Sequence, residues 1–405
     1  MLESAADGDE ALRGGLHVGG RSVARHQLAL ALALGCTRIV FLAERLEADL
    51  VALQHVAEDA GAQFHVIAAP RALVPLVSPA DELFVFSDGF LAIPATARDV
   101  LEEGPAVLTL PVETGLPAGF ERLDINHSDA GAMRLPGRLV ARLGELPGDW
   151  SAQSALLRIA VQAGVPLKGI PAGSVAAGTW QLVRSEDEAA NVESAWMKIH
   201  TAAQGPESPG VAASRLLVRT TGPAILHAGT RPWIVSAGAA LAALLGLGAG
   251  WFGYAGTGFA LLGFAWLARS SAVLLDRIER VSVVDSPDRF GFSAAFSWLL
   301  DAAFVALCAW RSELPLAAGL PAGADLFAPL VLFGLLRLVP RVLPGMGWTR
   351  WLADRAVAAL VLILVSAFLP FDMAVAIIAL LILAMAVVST YLLPDNPNPP
   401  LTKSR

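Results

Sequence analysis

Acidic residues in apolar surroundings are the first places to look for chemistry. Asp301 sits inside the apolar window Phe290–Trp310. A carboxylate in a membrane helix is costly and faces a bundle interior or a cavity. Metal or proton contact is one reading of it; a pair with an interior arginine or a backbone group is the other. Asp276 and Arg280 are four residues apart, the spacing of a helix-end ion pair. Asp285 and Asp288 flank Pro287 in a polar stretch, and Asp325 lies at the edge of another apolar window. Asp88 precedes Gly89, the pairing that a tight turn favours. His17, His26, His55, His65, His127, His200 and His227 show no metal-ligand spacing. Neither a G-x-S-x-G elbow nor a G-x-x-x-x-G-K-(S/T) loop occurs. Cys36 and Cys308 are too few for a disulfide framework or a Cys-rich zinc module.

The elements that must position these residues follow from composition. The chain has 405 residues, 55% of them hydrophobic and only 16% charged. Its mean hydropathy is +0.59. Soluble chains carry about 25% charge, so the composition argues against an all-soluble enzyme and against a disordered chain. A net charge of −7 argues against nucleic acid as the main partner. Residues 1–231 read as soluble. From Pro232 to Ala268 no residue is charged, which is about 55 Å of helix, too long for one span. Gly250-Trp251-Phe252-Gly253-Tyr254-Ala255-Gly256 divides that stretch. Apolar windows recur at Phe290–Trp310, Ala322–Val339, Trp351–Leu369 and Met373–Leu393, so six membrane helices are expected. Arg269, Arg277, Arg280 and Arg289 lie between helices 2 and 3, and Arg337, Arg341, Arg350 and Arg355 between helices 4 and 5. The opposite loops offer only Arg311. This bias places both termini in the cytoplasm of a multi-pass inner-membrane protein. Residues 1–25 lack the apolar core of a secretory signal, so helix 1 is expected to direct insertion.

The soluble part alternates strands and helices. Strands are expected at Thr37–Leu42, Gln63–Ala68, Leu83–Ser87, Ala106–Leu110 and Trp180–Arg184. Helices are expected at Ser22–Leu34, Leu50–Ala60, Ala95–Glu103 and Asp187–Thr201. The alternation implies an α/β domain with a mostly parallel sheet, ligands binding beyond the strands' carboxyl ends, and Asp88 at such an end.

Several segments resemble sugar-phosphate nucleotidyltransferases. Val18-Gly19-Gly20-Arg21-Ser22-Val23-Ala24-Arg25-His26-Gln27-Leu28 followed by Gly35-Cys36-Thr37-Arg38-Ile39-Val40 resembles their "G-(K/R)-P-L-(I/L)-x-x-Q-(I/L)" helix and next strand. Glu82–Gly89 resembles their strand ending in a magnesium-binding aspartate. Gly178–Val183 with Ser185-Glu186-Asp187 resembles their closing element. With six membrane helices behind it, the whole resembles the bifunctional inositol-phosphate cytidylyltransferase/CDP-alcohol phosphatidyltransferase family. Ala213–Thr221 looks like that family's pre-membrane helix. The segment Arg215–Arg231, with Arg215, Arg219 and Arg231, fits an interfacial helix meeting anionic head groups.

The resemblance implies cofactor binding at Gly19, Gly20, Arg21 and Asp88, and Mg²⁺ or Mn²⁺ held by Asp88, Asp276 and Asp301. It implies catalytic roles for Asp276, Arg280, Asp288 and Asp301, a CDP-alcohol donor, membrane-lipid contact and a homodimer. The expected domains are residues 1–204 (nucleotidyltransferase-like), 205–231 (linker and interfacial helix), 232–393 (six-helix membrane domain) and 394–405 (cytoplasmic tail).

Both halves depart from the family's motifs. Met1–Arg13 contains no A-G-x-G-x-R loop, and the only lysines are Lys168, Lys198 and Lys403. The phosphatidyltransferase motif D-x(2)-D-G-x(2)-A-R-x(8)-G-x(3)-D-x(3)-D, anchored on Gly291, falls on Leu274, Arg277, Ala295 and Leu299 instead of aspartates. Asp301 is two residues off register, a rotation of about 200° on a helix. Two functions are therefore expected. One is a divergent phosphotransferase that moves a phospho-alcohol from a CDP-alcohol to a hydroxyl acceptor and releases CMP. The alternative is a non-catalytic membrane-anchored binding or scaffold protein descended from such an enzyme.

Overall fold

The computed structural model describes residues 12–43, 48–145, 151–171, 173–203, 205–227, 232–280, 290–312, 323–344 and 346–392. The chain divides into two compact units. One is Met1–Ala202 with Thr221–Gly229 and Arg277–Ser286, and the other is Ala203–Thr220 with Thr230–Asp276 and Pro287–Arg405.

The first unit opens with a hairpin of β1 (His17–Val18) and β2 (Arg21–Ser22). Gly19 and Gly20 turn it at φ of 62° and 75°, the left-handed pair that a two-residue hairpin favours. Ser22 then caps α1 (Val23–Ala33), its Oγ accepting the Arg25 N–H. A βαβ unit follows: β3 (Arg38–Leu42), α2 (Ala48–Asp59) and β4 (Gln63–Ile67), with β3 and β4 parallel.

Next come β5 (Glu82–Phe86), β6 (Phe90–Ala92), α3 (Pro94–Leu101), β7 (Ala106–Pro111), α4 (Val112–Gly115) and β8 (His127–Pro136). They are followed by α5 (Ala152–Gln162), β9 (Leu167–Gly169), α6 (Gly173–Ala176), β10 (Trp180–Leu182) and α7 (Glu186–His200). The sheets are small and mixed, which corrects the expected mostly parallel sheet. Four strands run in the order β5-β8-β7-β9, with β8 antiparallel to both its neighbours and β9 parallel to β7. β6 and β10 form an antiparallel pair. β8 supplies the antiparallel element, and it escapes a sequence reading because Asp129, Gly131 and Arg134 interrupt its apolar pattern. Trp180 anchors the core. Its ring packs edge-on to Phe90 at 5.0 Å, and its Nε1–H donates to Ala130 O at 2.7 Å.

The second unit is helical. α8 (Pro209–His227) precedes α9 (Pro232–Trp251), α10 (Ala255–Arg280), α11 (Phe290–Arg311), α12 (Ala324–Val342), α13 (Thr349–Leu352), α14 (Arg355–Val365) and α15 (Phe371–Leu392). The expected glycine-rich divide falls between α9 and α10, with Gly253 at φ 90°. Among the described helices four, not six, are long and apolar enough to cross a membrane: Trp233–Trp251, Ala255–Ile278, Ala294–Arg311 and Phe371–Tyr391. α14 spans about 16 Å at 1.5 Å per residue, half the hydrocarbon thickness. α12 carries Asp325, Arg337 and Arg341 within its length. Leu244, Phe264, Leu299, Leu380 and Val388 are exposed on the four long helices, a distribution suited to lipid rather than water. Inside, Phe259 stacks with Phe304 and Phe371, and Phe304 with Phe333.

Candidate functional site

In the second unit the chemistry converges on Asp301. Its helix, α11, is apolar around it, and the carboxylate is 6% exposed. Arg355, the first residue of α14, donates Nε–H to Oδ1 at 2.6 Å and Nη2–H to Oδ2 at 3.1 Å. Arg337, from α12, donates Nε–H to Oδ2 and Nη2–H to Ser297 Oγ at 2.9 Å. The Arg337 guanidinium also lies 3.6 Å from the Trp298 ring centroid. Asp301 thus receives one guanidinium bidentately and a second end-on. Two cations this close make a poor seat for a divalent metal, so the metal role expected of Asp301 does not fit its surroundings.

The residue before Arg355 fixes the geometry. Asp354, 1% exposed, caps α14 by accepting the N–H of Ala356 at 3.0 Å and of Val357 at 3.2 Å. It also accepts the Gly210 N–H at 2.6 Å and so ties down α8. A Cβ on Gly210 would lie 2.4 Å from Asp354 Oδ1, so only glycine permits the approach. The Ser214 hydroxyl donates to Leu267 O on α10. Sequence reasoning singled out none of Asp354, Arg355 or Arg337 as a partner of this site. The available signal was an Asp-Arg pair opening one apolar run and an arginine within another.

Of the other expected catalytic residues only Asp276 has a described side chain. Asp276 is half-buried near the end of α10 and interacts electrostatically with Arg269. Arg269 donates to Ser236 Oγ on α9 at 3.0 Å. The side chain of Arg280, and the whole of Asp285, Asp288 and Arg231, lie outside the described residues.

In the first unit, the Gly19 amide is not free to meet a phosphate. The Gly19 N–H donates at 2.9 Å to the buried Glu193 carboxylate from α7, and a second anion there would be repelled. Arg21 is half-buried in β2. The surrounding cluster is tight. His26 Nε2 lies 2.8 Å from Val18 O, and Trp196 packs between His26 and His200. Burial lowers the His26 pKa to about 4, against the opposing pull of the Val18 carbonyl.

Asp88 stands in the turn after β5, half-buried, beside a cleft of about 780 Å³. Gln27 of α1 holds that turn by donating to Ser87 O at 2.8 Å and Phe90 O at 3.0 Å. Gly19, Gly20 and Arg21 do not line the cleft. Among the described residues no three His, Cys, Asp or Glu side chains gather closely enough to share a metal ion. Deeper in the sheet, burial raises the Asp129 pKa to about 6, and Gln153 donates to its Oδ2 at 3.0 Å.

No family model matches this chain, and no curated protein matches it.

Proposed function

We propose that this chain is a membrane-anchored binding protein, built on the plan of the bifunctional cytidylyltransferase/CDP-alcohol phosphatidyltransferase family but without its phosphotransfer. The observation that carries this is the state of Asp301: both its oxygens accept hydrogen bonds from Arg355 and Arg337. Its role is to neutralise buried Arg355 and half-buried Arg337 rather than to hold Mg²⁺ or Mn²⁺. The lost motif aspartates at Leu274, Arg277, Ala295 and Leu299 point the same way. The ligands proposed are a CDP-alcohol or related nucleotide and anionic lipid head groups, the latter facing exposed Arg219 on α8. The arginine bias of the loops supports a cytoplasmic first unit on an inner (cytoplasmic) membrane, and the family plan supports a homodimer.

The alternative, an active phosphotransferase releasing CMP, draws on half-buried Asp276 at the end of α10. It would need Mg²⁺ or Mn²⁺ held without Asp301. Detergent-purified protein, Mg²⁺ or Mn²⁺ and a panel of CDP-alcohols with polyol-phosphate and lipid acceptors separate the two readings. The expected result is no CMP release, with CDP-alcohol binding measurable by calorimetry. CMP release that disappears in Asp276→Asn would establish the alternative.

A further inference from the structure

The second unit holds a pocket of about 360 Å³ where α8, α10, α12 and α13 meet, with every wall inside that unit. Its position follows from the start of α14. Arg355 opens that helix and bonds Asp301, which lies near the middle of α11 (Phe290–Arg311). The chain just before α14, residues 343–354, is therefore recessed from the ends of the long helices. Irregular backbone at such a depth is tolerated where it is buried in protein or lines a polar cavity. The pocket lies on this stretch: Pro344, Thr349, Arg350 and Ala353 line it.

Two lining groups have donors to spare. Half-buried Arg350 gives one N–H, from Nη1, to Pro206 O at 2.8 Å. Among the described residues its Nε and Nη2 meet no acceptor, and no carboxylate pairs with it. Ser208 is 4% exposed, and its Oγ accepts the Val211 N–H at 3.4 Å. Its hydroxyl proton has no acceptor among the described residues. The carboxylates close by are already met. Glu207 pairs with Arg215, and Asp354 accepts three backbone N–H groups. A half-buried guanidinium without a counter-charge, beside a buried hydroxyl without an acceptor, favours an anion. The rest of the wall is apolar, with Trp266, Pro340 and Pro344. A ligand that satisfies both parts is an amphiphile with an anionic head.

We propose that this pocket seats the head group of one anionic phospholipid from the surrounding bilayer. The phosphate oxygens accept from Arg350 Nε and Nη2 and from the Ser208 hydroxyl, and the glycerol ester lies on Trp266, Pro340 and Pro344. Ligand pockets measure about 300–1,000 Å³. This one is at the lower end, so it admits a head group while the two acyl chains stay outside. The inference rests on the membrane-anchored reading and its anionic-lipid partner. It gives that partner an enclosed site, distinct from exposed Arg219.

The test is native mass spectrometry of the full chain released from a neutral detergent after titration with phosphatidylglycerol, phosphatidylcholine or glycerol 3-phosphate. One phosphatidylglycerol per chain should survive release, at a concentration about tenfold below that needed for phosphatidylcholine. Glycerol 3-phosphate should bind at least about tenfold more weakly than phosphatidylglycerol, because it brings nothing to the apolar wall. Arg350→Gln should weaken retention by about tenfold or more. Ala353→Phe fills the pocket and leaves Arg350 in place, so it should weaken retention equally and keeps the test decisive if Arg350→Gln does not fold. Undiminished retention in folded Ala353→Phe protein overturns the proposal, as does glycerol 3-phosphate binding as tightly as the lipid. Retention lost in Arg219→Gln but unchanged in both pocket variants overturns this site and leaves the membrane reading standing. A chain that alkaline carbonate strips from phosphatidylglycerol vesicles overturns the membrane reading, and this site with it.

Discussion

Asp301 is one carboxylate facing two guanidiniums in an apolar helix bundle. Removing it leaves buried Arg355 and half-buried Arg337 without a counter-charge. Breaking a buried pair from one side costs about 3–5 kcal/mol. Arg337 is the less buried partner and keeps its Trp298 contact outside the pair. Arg337→Met leaves a one-to-one Asp301–Arg355 pair. Thermal unfolding in detergent should therefore rank Asp301→Ala as far more destabilising than Arg337→Met, with Arg355→Met between them. Equal losses from Asp301→Ala and Arg337→Met would contradict this division of charge.

In the first unit two buried groups titrate in opposite senses. His26 has a folded pKa near 4 against an ordinary 6.5. The unfolded chain then binds more protons between those values, and His26 withdraws stability as the pH falls from 6.5 towards 4. Asp129 has a folded pKa near 6 against an ordinary 3.8. There the folded state binds more protons, and Asp129 adds stability as the pH falls from 6 towards 4. Each effect is about 3 kcal/mol at full extent, so the two offset. His26→Gln should make the unit more stable on acidification from pH 6 to 4, and Asp129→Asn less stable. Melting temperatures across that range would check both signs.

At the scale of elements, Asp354 joins a helix start to a helix from elsewhere in the chain. It satisfies two orphan N–H groups of α14 and one of α8. Asp354→Ala should cost about 2–4 kcal/mol, from the lost cap and the buried Gly210 N–H left unsatisfied. Gly210→Ala should act on the same joint from the other side, speeding amide exchange over the first turns of α8 while α15 is unaffected. These joints explain what the sequence made legible. Helices and strands with their own local signal could be read: α1 from Ser22 and its periodicity, β3 from its unbroken apolar run, α9 and α10 from a charge-free stretch split by glycines. β8 could not, because its place rests on long-range pairing and on Asp129 and Arg134 finding partners far away. Asp301 was legible as an anomaly, but its two arginines come from other helices, and no spacing rule connects them. The six-span expectation failed where apolarity alone misleads. α14 is too short, and the charges on α12 include Arg337, which answers to Asp301.

At the scale of the molecule, the first unit holds small mixed sheets with helices and the second is helical. In the first, the Gly19 N–H is taken by the buried Glu193 carboxylate. In the second, Arg355 and Arg337 surround the Asp301 carboxylate. On the proposed reading, both groups are committed to the protein's own side chains. The most direct test is Mn²⁺ titration of the detergent-purified chain, read by electron paramagnetic resonance in wild type and Asp301→Asn. The account predicts that the two show the same Mn²⁺ binding, because Asp301 is held by Arg355 and Arg337. A bound-Mn²⁺ signal present in wild type and absent in a folded Asp301→Asn protein would contradict it.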